Sequence, residues 1–483
     1  MTTNLLPEFI PGFPEIFLAF AAIVLLLVGA FQKRYNLLFV HHLSILALGL
    51  TLLMTLGVEE EGPIFNEMLL INKFTQYAKA LILLSVMCVL WVSKRYLSNY
   101  NLAKFEFPVL IMLATLGMML MVSANDLLAL FIGLELLSLS LYVLVAFPRD
   151  DLHSNEAALK YFVLGAVSTV FLLYGSSLLY GFTGTIQFSI IASVLKTTPD
   201  LPIWVYFGLI MVFVGVAFKL SLVPFHMWTP DVYEGSPLPV TFFLAAGPKV
   251  AAFAMFLQIF TTIYGPQVPF WEHVILGVAL ASIVLGAFAA LFQSNLKRLF
   301  AYSTISHMGF LMLGLLSRTQ EAYQNLFVYV VIYTLTTVAI FACLMTLKAK
   351  RTTNLSMEFL AGLSKQEPAL CLCFTLMLFS LAGVPPLGGF FAKLGVLQNA
   401  IQGSYMIAVV IAVLASVVSA AYYLKVIRLM YFSESTSKTY EVEISRSLRF
   451  VLYVSTLLVS LYALYPQFIL NRTTGAAALL AIR

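Results

Sequence analysis

Five ionisable side chains stand inside otherwise apolar runs, and their types suit proton transfer. Lys219 lies in GVAFKLSLVPF, Lys249 in FFLAAGPKVAAF and Lys393 in LAGVPPLGGFFAK, while Glu135 interrupts ANDLLALFIGLELLSLSLYVL and His307 interrupts AYSTISHMGF. Burying one ammonium in hydrocarbon costs several kcal/mol, so each lysine must face a bundle interior, with a partner or water. A single buried lysine could be a static ion pair or a neutral amine. Three of them with a carboxylate are a better match for a chain of proton carriers. Glu135 follows the polar Asn125 and Asp126 by roughly nine residues, which at 1.5 Å per residue puts it about 14 Å deep and makes it the expected partner of one lysine. Burial disfavours the charged form of either group and pairing restores it, so a shift of a few Å would move a proton. The imidazole is the side chain whose unperturbed pKa lies near neutral, so His307 would serve either as a relay or as a packing hydrogen-bonder.

Helix breakers accompany these residues. Pro224 follows Lys219 by five positions, and Pro385, Pro386, Gly388 and Gly389 precede Lys393. Breaks at membrane depth free backbone groups that only protein or a hydrated cavity can satisfy, and paired breaks in two halves mark inverted-repeat transporters. The connection HMWTPDVYEGSPLPV carries His226, Asp231 and Glu234, but it lacks the helical spacing of a metal motif, so its charges read as solvated or loop-closing. Cys88, Cys343, Cys371 and Cys373 fit no zinc or cluster framework and read as helix-packing residues. No nucleotide-binding fingerprint appears, so any redox or ATP drive must come from other chains.

The elements that position this chemistry follow from composition. The chain has 483 residues, 61% hydrophobic and 10% charged, with a mean hydropathy of +0.96. A soluble enzyme is excluded on charge content, and continuous apolar runs exclude a β-barrel, which needs alternating polarity. The fold class is an all-α polytopic membrane protein. Fourteen spans are expected, near residues 14–31, 37–57, 75–93, 108–124, 126–147, 157–181, 203–225, 239–263, 270–292, 297–316, 322–347, 368–395, 401–431 and 447–466. They divide a single membrane domain into three N-terminal helices (1–107), a first repeat (108–263), a second repeat (270–431) and a C-terminal helix (432–483). Loops after odd-numbered spans hold 17 Lys and Arg against 3 after even-numbered spans. This alternation supports the even count and puts both termini on the side opposite the basic loops. Lys79 and Lys160 lie near span starts and are read as snorkelling to the interface. The net charge of +5 resides mostly in loops and implies no nucleic acid.

At these residues the sequence resembles the antiporter-like membrane subunits of respiratory complex I. The match is carried by 219–249 (KLSLVPFHMWTPDVYEGSPLPVTFFLAAGPK), 296–310 (LKRLFAYSTISHMGF), 381–393 (LAGVPPLGGFFAK) and 106–143. The resemblance implies fourteen helices with two inverted five-helix repeats, broken helices seven and twelve, and redox-driven proton translocation. By motif, Glu135 would be the helix-five glutamate coupled to Lys219, Lys249 the central lysine, Lys393 the terminal lysine and His307 a relay residue. It also implies that NADH, flavin, iron-sulfur clusters and quinone belong to partner subunits, and that no cofactor binds this chain. The expected neighbours are another antiporter-like chain and the small quinone-side membrane chains. With no room for the long C-terminal amphipathic helix of the family's larger member, the chain resembles the one nearest the quinone arm. The alternative is a subunit of a sodium/proton antiporter complex. That would want clustered carboxylates, and only Glu135 reads as deeply buried. The high Phe content, 40 residues, leans toward a mitochondrial inner membrane rather than a bacterial cytoplasmic one, with both termini on the intermembrane-space or periplasmic side.

Overall fold

The computed structural model describes residues 9–31, 37–198, 200–265, 268–349, 355–434, 440–442 and 444–481. Among them, twelve helices are long and apolar enough to cross a membrane. They correspond to spans one to eleven and to span thirteen, Met406–Phe432. Span twelve is broken, as expected, into Pro368–Ala382 and Gly388–Gln402, each of 15 residues and too short to cross alone. Span fourteen is Arg446–Leu461, shorter than read from sequence, and a further helix, Gln467–Ala481, follows it. The chain is thus a multi-pass helical membrane protein.

Polar caps start the helices where apolar runs alone would leave amides unmet. Asn72 and Thr75 form a reciprocal capping box at the start of span three, with bonds of 2.9 and 3.0 Å. Asp126 accepts from the Ala129 amide at 2.6 Å and so starts span five, Leu127–Val145. Asn295 accepts from the Lys297 amide at 2.8 Å and starts span ten. Two short antiparallel strand pairs lie in loops, Gly62–Ile64 with Leu69–Ile71 and Leu347–Ala349 with Tyr440–Val442.

The chain packs as two compact units. One comprises Met1–Leu220, Gly247–Trp271 and Ala478–Arg483, the other Ser221–Ala246 and Glu272–Ala477. Within the first, spans four and five approach backbone to backbone. A Cβ on Gly117 would lie 2.6 Å from the Leu137 amide nitrogen, and one on Gly133 would lie 2.7 Å from that of Met121. This contact fixes the helix that carries Glu135.

Three local departures from the sequence reading follow, two of them at breaks. Span seven ends at Leu220, four residues before Pro224, and the connection then forms a short helix, Trp228–Gly235. Span eight is itself interrupted at Ala246, whose φ of −101° and ψ of −93° are not helical, so Leu238–Ala245 and Gly247–Ile259 are separate helices. The loop after span six contains the helix Phe188–Thr197.

Candidate functional site

In the first unit, the end of span seven builds the site. The last four carbonyls of a helix have no intrahelical donor, and burial demands that something else supply one. The Lys249 ammonium donates to the Lys219 carbonyl at 3.2 Å. The Lys219 ammonium in turn donates to Ser138 Oγ at 2.7 Å and lies 5.8 Å from the Tyr161 ring centroid. Glu135, half-buried and one turn before Ser138, accepts from Thr169 Oγ1 at 2.6 Å. Glu135 and Lys219 therefore sit in one polar cluster, but no direct ion pair joins them among the described residues. In place of the expected direct partnership, Lys219 meets the hydroxyl of Ser138, which shares a helix face with Glu135 at i, i+3 and itself donates to the Leu134 carbonyl.

The second unit repeats the device with different residues. The Lys393 ammonium donates at 3.2 Å to the carbonyl of Ala382, the last residue before the break in span twelve, and lies 5.2 Å from the Phe310 ring centroid. Gly389 lets the two halves of that span close up, since a Cβ there would lie 1.8 Å from the Ser380 carbonyl oxygen. The amide of Gly389 donates to Ser380 Oγ at 3.1 Å. His307 Nδ1 is 2.7 Å from Tyr329 Oη. His307, Tyr329, Tyr333 and Lys393 line one small cavity of about 10 Å³, the threshold for a single water. By their place at a break, Lys249 and Lys393 are counterparts: each ammonium meets the carbonyl that a terminated helix leaves free.

All four basic candidates are buried, with Lys249 2% exposed and Lys219, Lys393 and His307 6%. Sequence reasoning missed their hydroxyl partners Ser138, Thr169 and Tyr329. The signal was present in YVVIYTLTT, where Tyr329 and Tyr333 stand at i, i+4 on one face of span eleven.

Other charges fall as follows. Asp231 and Glu234 are loop-closing, as expected. Both accept from Arg298 Nη1, at 2.6 and 3.1 Å, and Asn295 Nδ2 donates to Glu234 at 3.1 Å. His226 lies in the same connection, its pKa lowered mainly by burial. No group of three metal-ligating side chains occurs among the described residues. Val223, whose amide the break frees, donates to Ser282 Oγ at 2.9 Å. Lys160 is exposed and pairs with Glu156 at 2.9 Å, in keeping with an interfacial side chain. Lys79 does not snorkel: it is 2% exposed and ion-paired with Glu15, which is itself buried, so Glu135 is not the one carboxylate held inside the bundle.

Comparison with known proteins identifies the family and the fold. The family described as "NADH:quinone oxidoreductase/Mrp antiporter, TM" matches residues 124–419. NADH-quinone oxidoreductase subunit N of Parvibaculum lavamentivorans is 46% identical over 464 residues, covering 95% of each chain. A chain in the structure of respiratory complex I from Thermus thermophilus with bound aureothin superposes with a TM-score of 0.80 at 32% identity, covering 96% of this chain and all of that one. A chain of the Mrp complex from Dietzia sp. shares the fold, with a TM-score of 0.83 at 19% identity. The two broken spans, their buried lysines and these matches over nearly the whole sequence lead to one conclusion: the chain belongs to the membrane-subunit family of the NADH:quinone oxidoreductases and Mrp antiporters.

Proposed function

We propose that this chain is a proton-translocating membrane subunit of an NADH:quinone oxidoreductase. The observation that carries the reading is the buried lysine at each broken helix, with its ammonium on the carbonyl that the break frees. There the ammonium meets a neutral backbone carbonyl, an acceptor that does not fix its charge as a carboxylate would, so it can give up and regain a proton. Lys219 and Lys249 exchange a proton in the first unit, and Glu135 modulates Lys219 by its charge within the same cluster. Lys393, with His307 and Tyr329, is the loading or release element of the second. The two five-helix repeats, 108–263 and 270–431, remain our division of the chain. Redox chemistry is assigned to partner chains, which would bind NADH, flavin, iron-sulfur clusters and quinone. The neighbours we infer are another antiporter-like chain and the small quinone-side membrane chains. All three similar proteins named above are bacterial, so we infer a bacterial cytoplasmic membrane in place of the mitochondrial lean, with the termini on the periplasmic side. Sodium/proton antiport has less support, since the Mrp likeness is one of fold alone.

The test is Lys249→Ala in the assembled enzyme, reconstituted in vesicles, with protons counted per electron. The expected outcome is a clear loss of stoichiometry while uncoupled NADH oxidation persists. An unchanged proton count would overturn the reading.

A further inference from the structure

Spans four, five and six enclose a groove that proton transfer does not use. It has a volume of about 720 Å³ and opens to the side of the bundle. Its polar lining is gathered at one end: Lys104 just before span four, Glu106 at its first residue, Arg149 four residues beyond the end of span five, and Asn155 in the first turn of span six. Span four starts, span five ends and span six starts at the same membrane edge, so these groups share one interface. Deeper in, the lining is apolar, with Leu26, Leu113, Val143 and Phe162. Leu113 lies seven residues after Glu106, about 10 Å further into the membrane. The exposed apolar side chains continue the groove outward, Val143 being 53% and Phe162 49% exposed.

Among the described residues, none of these charges is matched by an ion pair. Lys104 and Arg149 are exposed, and Lys104 Nζ lies 6.0 Å over the Phe147 ring. Asn155 Nδ2 donates to the Arg149 carbonyl at 2.9 Å, which fixes the loop without using the guanidinium. Glu106 Oε2 is buried and has no hydrogen-bond partner among the described residues. Two cations and one carboxylate at the mouth of an apolar groove ask for a ligand with a phosphate, an ammonium and hydrocarbon chains. A transmembrane helix of a partner would fill the apolar part but leave three charges unmatched at the interface.

We propose that this groove is a binding site for one phosphatidylethanolamine molecule, with its phosphate on Lys104 and Arg149, its ammonium on Glu106 and its acyl chains along the apolar wall. This site does not depend on the proton-transfer reading. The test uses the chain in the complex purified from its own membranes, exchanged into nanodiscs of equal parts phosphatidylethanolamine and phosphatidylglycerol. Lipid retained after re-extraction is measured by mass spectrometry. Lys104→Ala/Arg149→Ala is expected to retain about tenfold less phosphatidylethanolamine, the loss that one or two charge-assisted bonds give. Glu106→Gln is expected to lower the ratio of phosphatidylethanolamine to phosphatidylglycerol severalfold, and it decides the matter should the double variant fail to assemble. An unchanged ratio in Glu106→Gln would mean that any lipid there is held by phosphate alone, and would overturn the proposal. So would a photo-crosslinker at Val143 that captures a protein subunit instead of lipid.

Discussion

The buried Lys79 and Glu15 pair sets a strong stability demand on spans one and three. Both side chains are almost fully enclosed, at 2% and 4% exposed, so removing one leaves an uncompensated charge in a low-dielectric interior. Lys79→Ala is expected to cost about 3–5 kcal/mol, while Lys79→Leu/Glu15→Leu recovers most of that loss, because a matched apolar pair removes both charges. Thermal denaturation of the purified protein distinguishes the two, and equal melting for the single and double variants would count against the argument. The sequence did not reveal this pair. Glu15 lies at the edge of span one and Lys79 near the start of span three, and residues 64 apart in sequence declare no contact. The same reason hid Ser138. Ser138→Ala would take from the Lys219 ammonium its 2.7 Å acceptor, a loss of roughly 1.5–3 kcal/mol for a bond to a charged group. The expected consequence is a lower proton count per electron with assembly retained. An unaltered count would show that Lys219 does not need this hydroxyl.

Helices were the legible level, since hydrocarbon requires every backbone group of a continuous apolar run to be satisfied within the run. Span five can be recognised from LLALFIGLELLSLSLYVLV alone, and the break in span twelve from VPPLGG. The break in span eight was also written, as Gly247 and Pro248, but an apolar run of normal length on both sides masked it. What composition does not carry is how closely two helices approach. Spans four and five touch at Gly117 and Gly133, where even one methyl group would meet backbone atoms under 3 Å away. Overpacking in a tight core costs about 1–3 kcal/mol, and here the neighbours are backbone that cannot rotate aside. Gly117→Ala is accordingly expected to lower thermal stability by at least that amount, whereas Gly181→Ala, with nothing within 4 Å, should not. Equal stability of the two variants would mean that spans four and five separate at little cost.

At the scale of the whole chain, the alternation of basic loops is the property that the count of spans must obey. Three basic residues break the pattern, Lys73, Lys196 and Arg318, and two of them lie against carboxylates: Lys73 is 4.0 Å from Glu61 and Arg318 is 3.6 Å from Glu272. Carboxylates carry little weight in this rule, so the contrast between the two sets of loops rests on the count of 17 against 3. Orientation follows from this bias and not from the helices themselves, which look alike from either end. Asp150, exposed after span five, should face the cytoplasm, and Asp200, exposed after span six, the opposite side. With Asp150→Cys and Asp200→Cys made separately, a membrane-impermeant thiol reagent is expected to label the second in right-side-out spheroplasts and the first in inside-out vesicles. Labelling of both from one side would remove span six as a crossing. Reversed labelling would invert the whole molecule, and with it the direction of the proton transfer proposed at Lys393.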